Sequence, residues 1–348
     1  MLELDYSEFY ITNTCNFNCV GCNRFNNYAF AGHYRWKDYH QIYQQWAKVL
    51  DLKTWAIMGG EPMMNPDYVD WMLGVAQLWP NSTGEFVTNG YFLQSNNQNF
   101  YEAFLLSNGK VSLGISVHNK NRVQAVLDQV LSWLVHPVSI SRIPDNLNEL
   151  PGIDDNFVRS YQAIKDQTWP DCKGISQWIE LPQKIKNECI EAHGFSPEHL
   201  ADAAKWYKIV DANNITVIIK PENFFHQASV IYSGTDFTLH NSDARKAHDV
   251  CDSKHCHHFV AGKLYKCGQV ALFPEFDRQL GFNLNANDRK LMLSYTPGEP
   301  NDKLEKFLLD IDKPIDQCKF CPEKFENQEI FAEHAKKIKV KKINATIH

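Results

Sequence analysis

Six short β-rich runs alternate with helical patterns, and this alternation limits the chain to few folds. The runs cover residues 8–12, 54–58, 85–88, 111–117, 138–143 and 216–220. Between the first two, Trp36, Tyr39, Ile42, Tyr43, Trp46, Val49 and Leu50 share one face at the helical period, which predicts a helix over 36–50. Asn65-Pro66 reads as an N-cap and first-turn proline of a helix running to about Trp79. Val123, Val126, Leu127, Val130, Leu131 and Leu134 mark another helix, and Ser196-Pro197 opens one that ends near Asn213-Asn214. The stretch 145–182 is read as a helix around 157–165 and a strand around 175–180. Strands alternating with helices imply right-handed βαβ crossovers and a parallel sheet. Six βα units are too few for a closed eightfold barrel and suit an open, partial one.

The composition is that of a packed globular protein: 44% hydrophobic and 22% charged among 348 residues. The net charge of -6 gives no general electrostatic reason to hold nucleic acid. No apolar run approaches the roughly 20 residues that span a bilayer. The N-terminus, Met1-Leu2-Glu3-Leu4-Asp5-Tyr6, is acidic and lacks the order of a signal peptide. A cytoplasmic protein is expected, and there ten cysteines point to metal or catalytic chemistry rather than disulfides. After residue 223 the pattern changes: cysteine, histidine and turn residues crowd into 249–268. A helix with a basic tail (Lys336, Lys337, Lys339, Lys341, Lys342) is expected from Asn327. The fold class expected is α/β, with a partial (β/α)6 barrel over 1–223. A small cysteine-rich α+β domain over 224–325 and a C-terminal helix and tail over 326–348 complete the organisation.

Cys15-Asn-Phe-Asn-Cys19-Val-Gly-Cys22 directly follows the first strand. Its spacing lets one short loop offer three thiolates to a cubane. A tetrahedral zinc site wants a fourth ligand, and none lies nearby in sequence. Three thiolates leave one iron of a 4Fe–4S cluster open. This loop resembles the signature of radical S-adenosylmethionine (radical SAM) enzymes. The resemblance implies that the open iron chelates the amino and carboxylate groups of SAM, and that reduction cleaves SAM to methionine and a 5′-deoxyadenosyl radical. One departure is Gly21, where the family usually has an aromatic residue that packs on adenine; Phe17 or Tyr28 is a conjectural substitute.

Gly59-Gly60-Glu61-Pro62 follows the second run, and glycines there let a backbone come close to a ligand. By itself this is an ordinary strand-to-helix turn. One βα unit after the triplet, it resembles the family's motif for the methionyl amino group of SAM. A bulky side chain at Gly60 is then expected to lower SAM affinity while cluster content survives. The resemblance also places Asn89 and Ser116 near the SAM carboxylate or ribose, although each alone reads as a turn or capping residue. His118 is a substrate base or a satisfied buried histidine. Arg142 ends the fifth run, and Lys220 and Glu222 end the sixth. On a parallel barrel such polar residues face one mouth.

Cys251, Cys256, Cys267, Cys318 and Cys321 form a second group. Residues 256–267 read as a hairpin turning at Ala261-Gly262-Lys263, with cysteines at its ends. Cys318-Lys-Phe-Cys321 is a second knuckle. Four thiolates from two knuckles suit a closed cluster or zinc equally well. The run from Cys251 through Gly262-x4-Cys267 resembles the start of a SPASM domain, shortened to the form called twitch, which implies an auxiliary 4Fe–4S cluster. Cys251 and Cys256 contest the fourth place. Cys172 and Cys189 stand alone and read as small apolar side chains.

The expectation is a radical SAM oxidoreductase with two 4Fe–4S clusters and SAM. A closed auxiliary cluster would take the electron left after hydrogen abstraction, so the net reaction is a dehydrogenation or a cross-link. The substrate class is a peptide or a small polar metabolite, and the electron donor is of flavodoxin or ferredoxin type. No membrane or nucleic-acid partner and no leader-binding N-terminal extension are expected. The alternatives are a redox-neutral radical SAM enzyme with structural zinc, and a non-catalytic metal-binding module.

Overall fold

The computed structural model of the chain describes residues 1–19, 22–28, 30–94, 97–135, 137–142, 206–221, 224–226, 230–232, 237–251, 253–280, 284–298, 301–323 and 327–329. The readings at Gly21, residues 145–182, Cys172, Cys189, Glu222 and the basic tail lie outside them. In chain order the elements begin with β1 (Leu2–Tyr10), α1 (Trp36–Val49), β2 (Leu50–Met58), α2 (Tyr68–Leu78), β3 (Thr83–Thr88) and α3 (Gln98–Leu106). Then come β4 (Val111–Val117), α4 (Val123–Trp133), β5 (Pro137–Arg142), β6 (Tyr207–Asp211), β7 (Thr216–Pro221), β8 (Phe224–His226), β9 (Val230–Tyr232) and β10 (Phe237–Leu239). The rest comprises α5 (Ala244–Asp249), β11 (His257–Val260), β12 (Lys263–Tyr265), α6 (Gly268–Leu280), α7 (Ala286–Leu291), β13 (Ser294–Tyr295), α8 (Asn301–Leu309) and β14 (Asn327–Glu329).

Packing divides the chain into two compact units, each discontinuous in sequence. One comprises Met1–Leu52, Met58–Pro66 and Phe225–His348; the other comprises Lys53–Ile57 and Asp67–Phe224. In the first, β1 pairs in parallel with β11, so that Glu8 lies opposite His258 and Phe9 opposite Phe259. β11 continues as an antiparallel hairpin into β12, which pairs with β13. Its turn places Ala261 and Gly262 at φ 49° and 78°, the positive pair of a type I′ hairpin. The amphipathic face of α1 closes over this sheet. Tyr43 and Trp46 pack edge-on against Phe259, and the Trp46 indole donates to the Gly262 carbonyl at 2.9 Å. A second core gathers Tyr10, Phe25, Tyr28, Phe30, Phe273, Phe276 and Phe320. It joins the segment after Cys22 to α6, a helix that the sequence analysis does not predict.

In the second unit, β3 pairs in parallel with β2 and β4, and β7 is parallel to β4. The α2, α3 and α4 helices supply the cover, with Phe86, Phe100, Phe104 and Trp133 in one aromatic core. The parallel α/β sheet is therefore as expected, with one local correction. Residues 207–211, read as the end of a helix, form β6, which is antiparallel to β5 and β7. Asp211 fixes this hairpin, since its Oδ1 accepts from the Asn213 and Ile215 amides at 2.9 Å. Residues 327–329 form strand β14 where the sequence predicts a helix start.

An ion pair crosses β4. Lys220 on β7 reaches both carboxylate oxygens of Glu85 on β3, at 2.7 and 3.0 Å. Gly114 on β4 lies beneath: a Cβ there would meet Glu85 Oε1 at 2.3 Å. Gly114→Ala should therefore displace the pair and destabilise the fold by roughly 1–3 kcal/mol, the usual cost of overpacking. Urea unfolding of the variant checks this. A further Glu85→Ala change should recover part of the loss, because the two sites share one space.

Candidate metal centre and its supports

The cysteine loop starts where β1 ends, on a backbone clamp. Ile11 and Asn13 exchange main-chain hydrogen bonds with residues 32–34: Tyr34 N donates to Ile11 O, and Asn13 N to Gly32 O, each at 3.0 Å. From the other side, Gly60 N donates to Thr12 O and Glu61 N to Thr14 O, each at 2.8 Å. Asn65, fully buried, ties the three strands of the clamp together: its Nδ2 donates to Ile11 O at 2.7 Å and to Tyr34 O at 2.8 Å. The turn at Gly59–Pro62 thus has a mounting role for the loop. A Cβ on Gly60 would lie 2.3 Å from Thr14 O, one residue before Cys15. Glu61 is buried, and its side chain accepts from Met63 N at 3.0 Å.

Beyond the clamp, Cys15, Cys19 and Cys22 gather around Phe17. Tyr28 instead packs edge-on against Phe276 in the aromatic core, so of the two residues offered for the missing aromatic, Phe17 is the one beside the cysteines. Burial pushes the Cys22 thiol up, while the backbone amides of Asn26, Arg24 and Asn27 favour its thiolate. Such inward-pointing N–H groups are what a thiolate-bound, negatively charged cluster needs.

Behind the loop lies a buried charge network that the sequence reading missed. Glu8 Oε2 is 2.6 Å from Arg24 NH2 and 2.6 Å from His258 Nε2. Arg24 comes two residues after Cys22 and His258 two residues after Cys256, so one β1 carboxylate holds both cysteine-bearing segments. His258 Nδ1 faces Cys256 O at 2.9 Å, where a carbonyl can only accept. Burial lowers the His258 imidazole, and the Glu8 carboxylate beside Nε2 opposes that shift. Burial alone would raise the Glu8 carboxyl, but His258 and Arg24 outweigh it and hold it at about 2.

Burial lowers the buried Lys266, and Cys318, Cys267, Asp312 and Cys251 oppose that shift. Glu8, Cys256, Tyr10 and Cys22 raise Arg24 against its burial. Cys267 precedes α6, where the backbone amides of Val270 and Gln269 favour its thiolate against the upward push of burial. Cys318 N donates to Ile315 O at 2.8 Å and Cys321 N to Cys318 O at 3.1 Å, forming the knuckle over Asp316–Phe320. The segment entering α5 meets this knuckle through Ser242 N and Lys319 O at 2.9 Å, and Cys251 follows α5 with its amide on His248 O. Among the described residues, no three His, Cys, Asp or Glu side chains converge on a single metal ion. A cubane attaches its thiolates to separate irons and asks for a wider spread. The donor sets fit such a group: thiolates supported by backbone N–H donors and flanked by cations.

The remaining residues lie in the second unit. Asn89 follows β3, and its Oδ1 accepts from Tyr91 N at 2.9 Å, a turn role. Ser116 lies near the C-terminal end of β4, opposite Lys220, and His118 follows that strand. Arg142 ends β5, an antiparallel strand rather than one of the parallel set.

No family model matches the sequence. Over 184 residues the chain is 24% identical to the GTP 3′,8-cyclases of Nostoc sp. and of Trichormus variabilis. Each alignment covers 49% of this chain and 55% of the relative, so the chain spans about half the length of the curated relatives it matches. Among solved structures, BtrN in complex with AdoMet and 2-DOIA is 18% identical, covers 36% of this chain and 51% of that one, and gives a TM-score of 0.30. Streptococcus suis SuiB bound to S-adenosylmethionine is 16% identical, covers 32% and 25%, and gives 0.26. Among the described residues, no helix is long and apolar enough to cross a membrane.

Two outcomes follow from the supports. Gly60→Ala should displace Thr14 and with it Cys15, so iron taken up on anaerobic reconstitution should fall. This reverses the expectation that such a variant would lose SAM affinity alone. Glu8→Gln should cost about 3 kcal/mol in urea unfolding near neutral pH, because it leaves the buried Arg24 guanidinium without its anion. A folded carboxyl held at about 2 stabilises above the unfolded carboxyl range and loses that contribution as pH falls. The gap between wild type and variant should therefore close between about pH 4.5 and 2.

Proposed function

We propose that this chain is a radical SAM protein that holds a 4Fe–4S cluster on Cys15, Cys19 and Cys22 and binds SAM at its open iron. The observation that carries this reading is the three-cysteine loop at the end of β1, gathered around Phe17 on the Thr12–Thr14 clamp. When bound, the cluster supplies the electron that splits SAM to methionine and a 5′-deoxyadenosyl radical, which abstracts hydrogen from a substrate C–H bond. The amides of Arg24, Asn26 and Asn27 favour the Cys22 thiolate. Phe17 gives the loop an apolar wall that limits water. The Gly59–Pro62 turn, Asn89 and Ser116 take the SAM-binding roles that the family resemblance gives them. His118 is the group to examine for a substrate base, and Arg142 is a second candidate for a catalytic role.

We assign Cys251, Cys267, Cys318 and Cys321 to an auxiliary 4Fe–4S cluster in a twitch-like region. Cys251 is supported by its place directly after α5, whose entering segment bonds the Cys318–Cys321 knuckle through Ser242 N and Lys319 O. Four thiolates leave no open iron, so this cluster acts as an electron acceptor. The net reaction is then a two-electron oxidation, a dehydrogenation or a cross-link, of a peptide or small polar metabolite. A flavodoxin or ferredoxin-type protein delivers the initiating electron in the cytoplasm. A second reading is favoured by both curated relatives being cyclases: a redox-neutral rearrangement, with zinc on the C-terminal thiolates.

Replacing Cys15, Cys19 and Cys22 by Ala should abolish 5′-deoxyadenosine formation under dithionite. Persistence of that product would overturn the assignment. Anaerobically reconstituted wild type should carry about eight irons, and the Cys318→Ala/Cys321→Ala variant about four. Zinc with about four irons in the wild type would favour the redox-neutral reading instead.

A further inference from the structure

One ion pair of the second unit stands where a packed sheet ordinarily carries apolar side chains. Alternation along β3 sends Phe86 to the face covered by α2 and α3, where it meets Tyr68 and Phe100. The same alternation sends Glu85 to the opposite face. Lys220 on β7 joins Glu85 there at 2.7 Å, and the two side chains are 16% and 14% exposed. A pair so far out of water gains little net stability over apolar residues of the same shape. Yet β4 leaves room for it, because any side chain at position 114 would strike the Glu85 carboxylate. A third group joins them. Trp206 directly precedes β6, and the Lys220 ammonium lies over its ring, 5.3 Å from the centroid. The Trp206 indole N–H is buried and has no acceptor among the described residues, although a buried indole ordinarily finds one. Lys220 also lies opposite Ser116 near the C-terminal ends of β7 and β4, the end at which parallel sheets place their ligands.

We propose that Trp206, Lys220 and Glu85 form a substrate subsite for a neutral group that both accepts and donates a hydrogen bond, a hydroxyl or a carboxamide, and that they select it against charged groups. The indole N–H is the donor of the subsite. The Glu85 carboxylate keeps lone pairs beyond those that take Lys220, and it is the acceptor. The pair has no net charge. A ligand carboxylate would come to rest beside Glu85 and a ligand ammonium beside Lys220, each against a like charge where screening by water is weak. A neutral group meets both partners without that cost. That the ligand is the substrate rests on the radical SAM reading given above, whereas the selection by charge rests on these three side chains alone.

The experiment reads the Trp206 indole directly by nuclear magnetic resonance. The anaerobically reconstituted full chain carries an isotopic label in its tryptophan indole nitrogens, and the Trp206 N–H resonance is identified by its absence from Trp206→Phe. The probes, titrated separately, are myo-inositol, N-acetylglycinamide, acetate, methylammonium and SAM. Myo-inositol or N-acetylglycinamide should move this resonance saturably, and the one that does so tells a polyol from a peptide-like amide. Acetate and methylammonium at the same concentrations should leave it in place. Glu85→Gln keeps the shape of the side chain but gives the subsite a net positive charge, so acetate should bind that variant at least about tenfold more tightly than wild type. A resonance that neither neutral probe moves overturns the proposal, as does one that acetate or methylammonium moves in wild type. An unchanged acetate response in folded Glu85→Gln also overturns it; if that variant does not fold, the wild-type titrations decide. A shift with SAM gives the three side chains to the cofactor and overturns the substrate subsite. The readout is binding, so failure of the radical SAM reading, seen as no 5′-deoxyadenosine under dithionite, is a separate result.

Discussion

The first compact unit depends on one buried carboxylate. Glu8 sits on β1 between Arg24 and His258, at 2.6 Å from each. The parallel pairing of β1 with β11 puts Glu8 directly opposite His258, residues 250 positions apart in sequence. A buried ion pair is weak evidence of net stability, because desolvation offsets much of the attraction. Its value here is positional. Removing Glu8 would leave Arg24 without its anion and His258 without its Nε2 neighbour in a nearly dry site, and each belongs to a segment that carries cysteines. The same arrangement fixes the register of β1 against β11, since a one-residue slip would send Glu8 to the opposite face.

Around this anchor, the two cysteine groups are mounted in different ways. The N-terminal loop hangs from a main-chain clamp in which Thr12–Thr14 is flanked by residues 32–34 and by the Gly59–Glu61 turn. The C-terminal group rests on the β11–β12 hairpin, the start of α6 and the Asp316–Phe320 knuckle. In both places a thiol faces the backbone amides of the next few residues, at Cys22 and at Cys267. Desolvation of a thiolate is compensated there by oriented N–H dipoles.

Much of this was legible in the sequence where one local pattern decides the outcome. The strand at 111–117 was read with its observed bounds, and the helix starting at Trp36 was read to within a residue of its end. The hairpin at Ala261-Gly262 was legible because turn chemistry is local. What was missed depends on partners distant in sequence. Residues 207–211 look helical alone, but they pair with both β5 and β7. The α6 helix carries Pro274 inside it and draws its cover from Phe25, Tyr28 and Phe30 of the N-terminal part. The turn at Gly59–Gly60 was read as a space for ligand, whereas the glycines make room first for the Thr12 and Thr14 backbone. Glu8, Arg24 and Lys266 had no motif to announce them, because burial and not spacing is what makes them notable.

The central claim is that the chain holds two chemically different clusters, one with an open iron and one closed by four thiolates. Electron paramagnetic resonance of the dithionite-reduced protein, recorded with and without SAM, tests this most directly. SAM should reshape the signal of one cluster, by binding its open iron, and leave the other signal unchanged. A reduced protein whose signals are indifferent to SAM would contradict the claim.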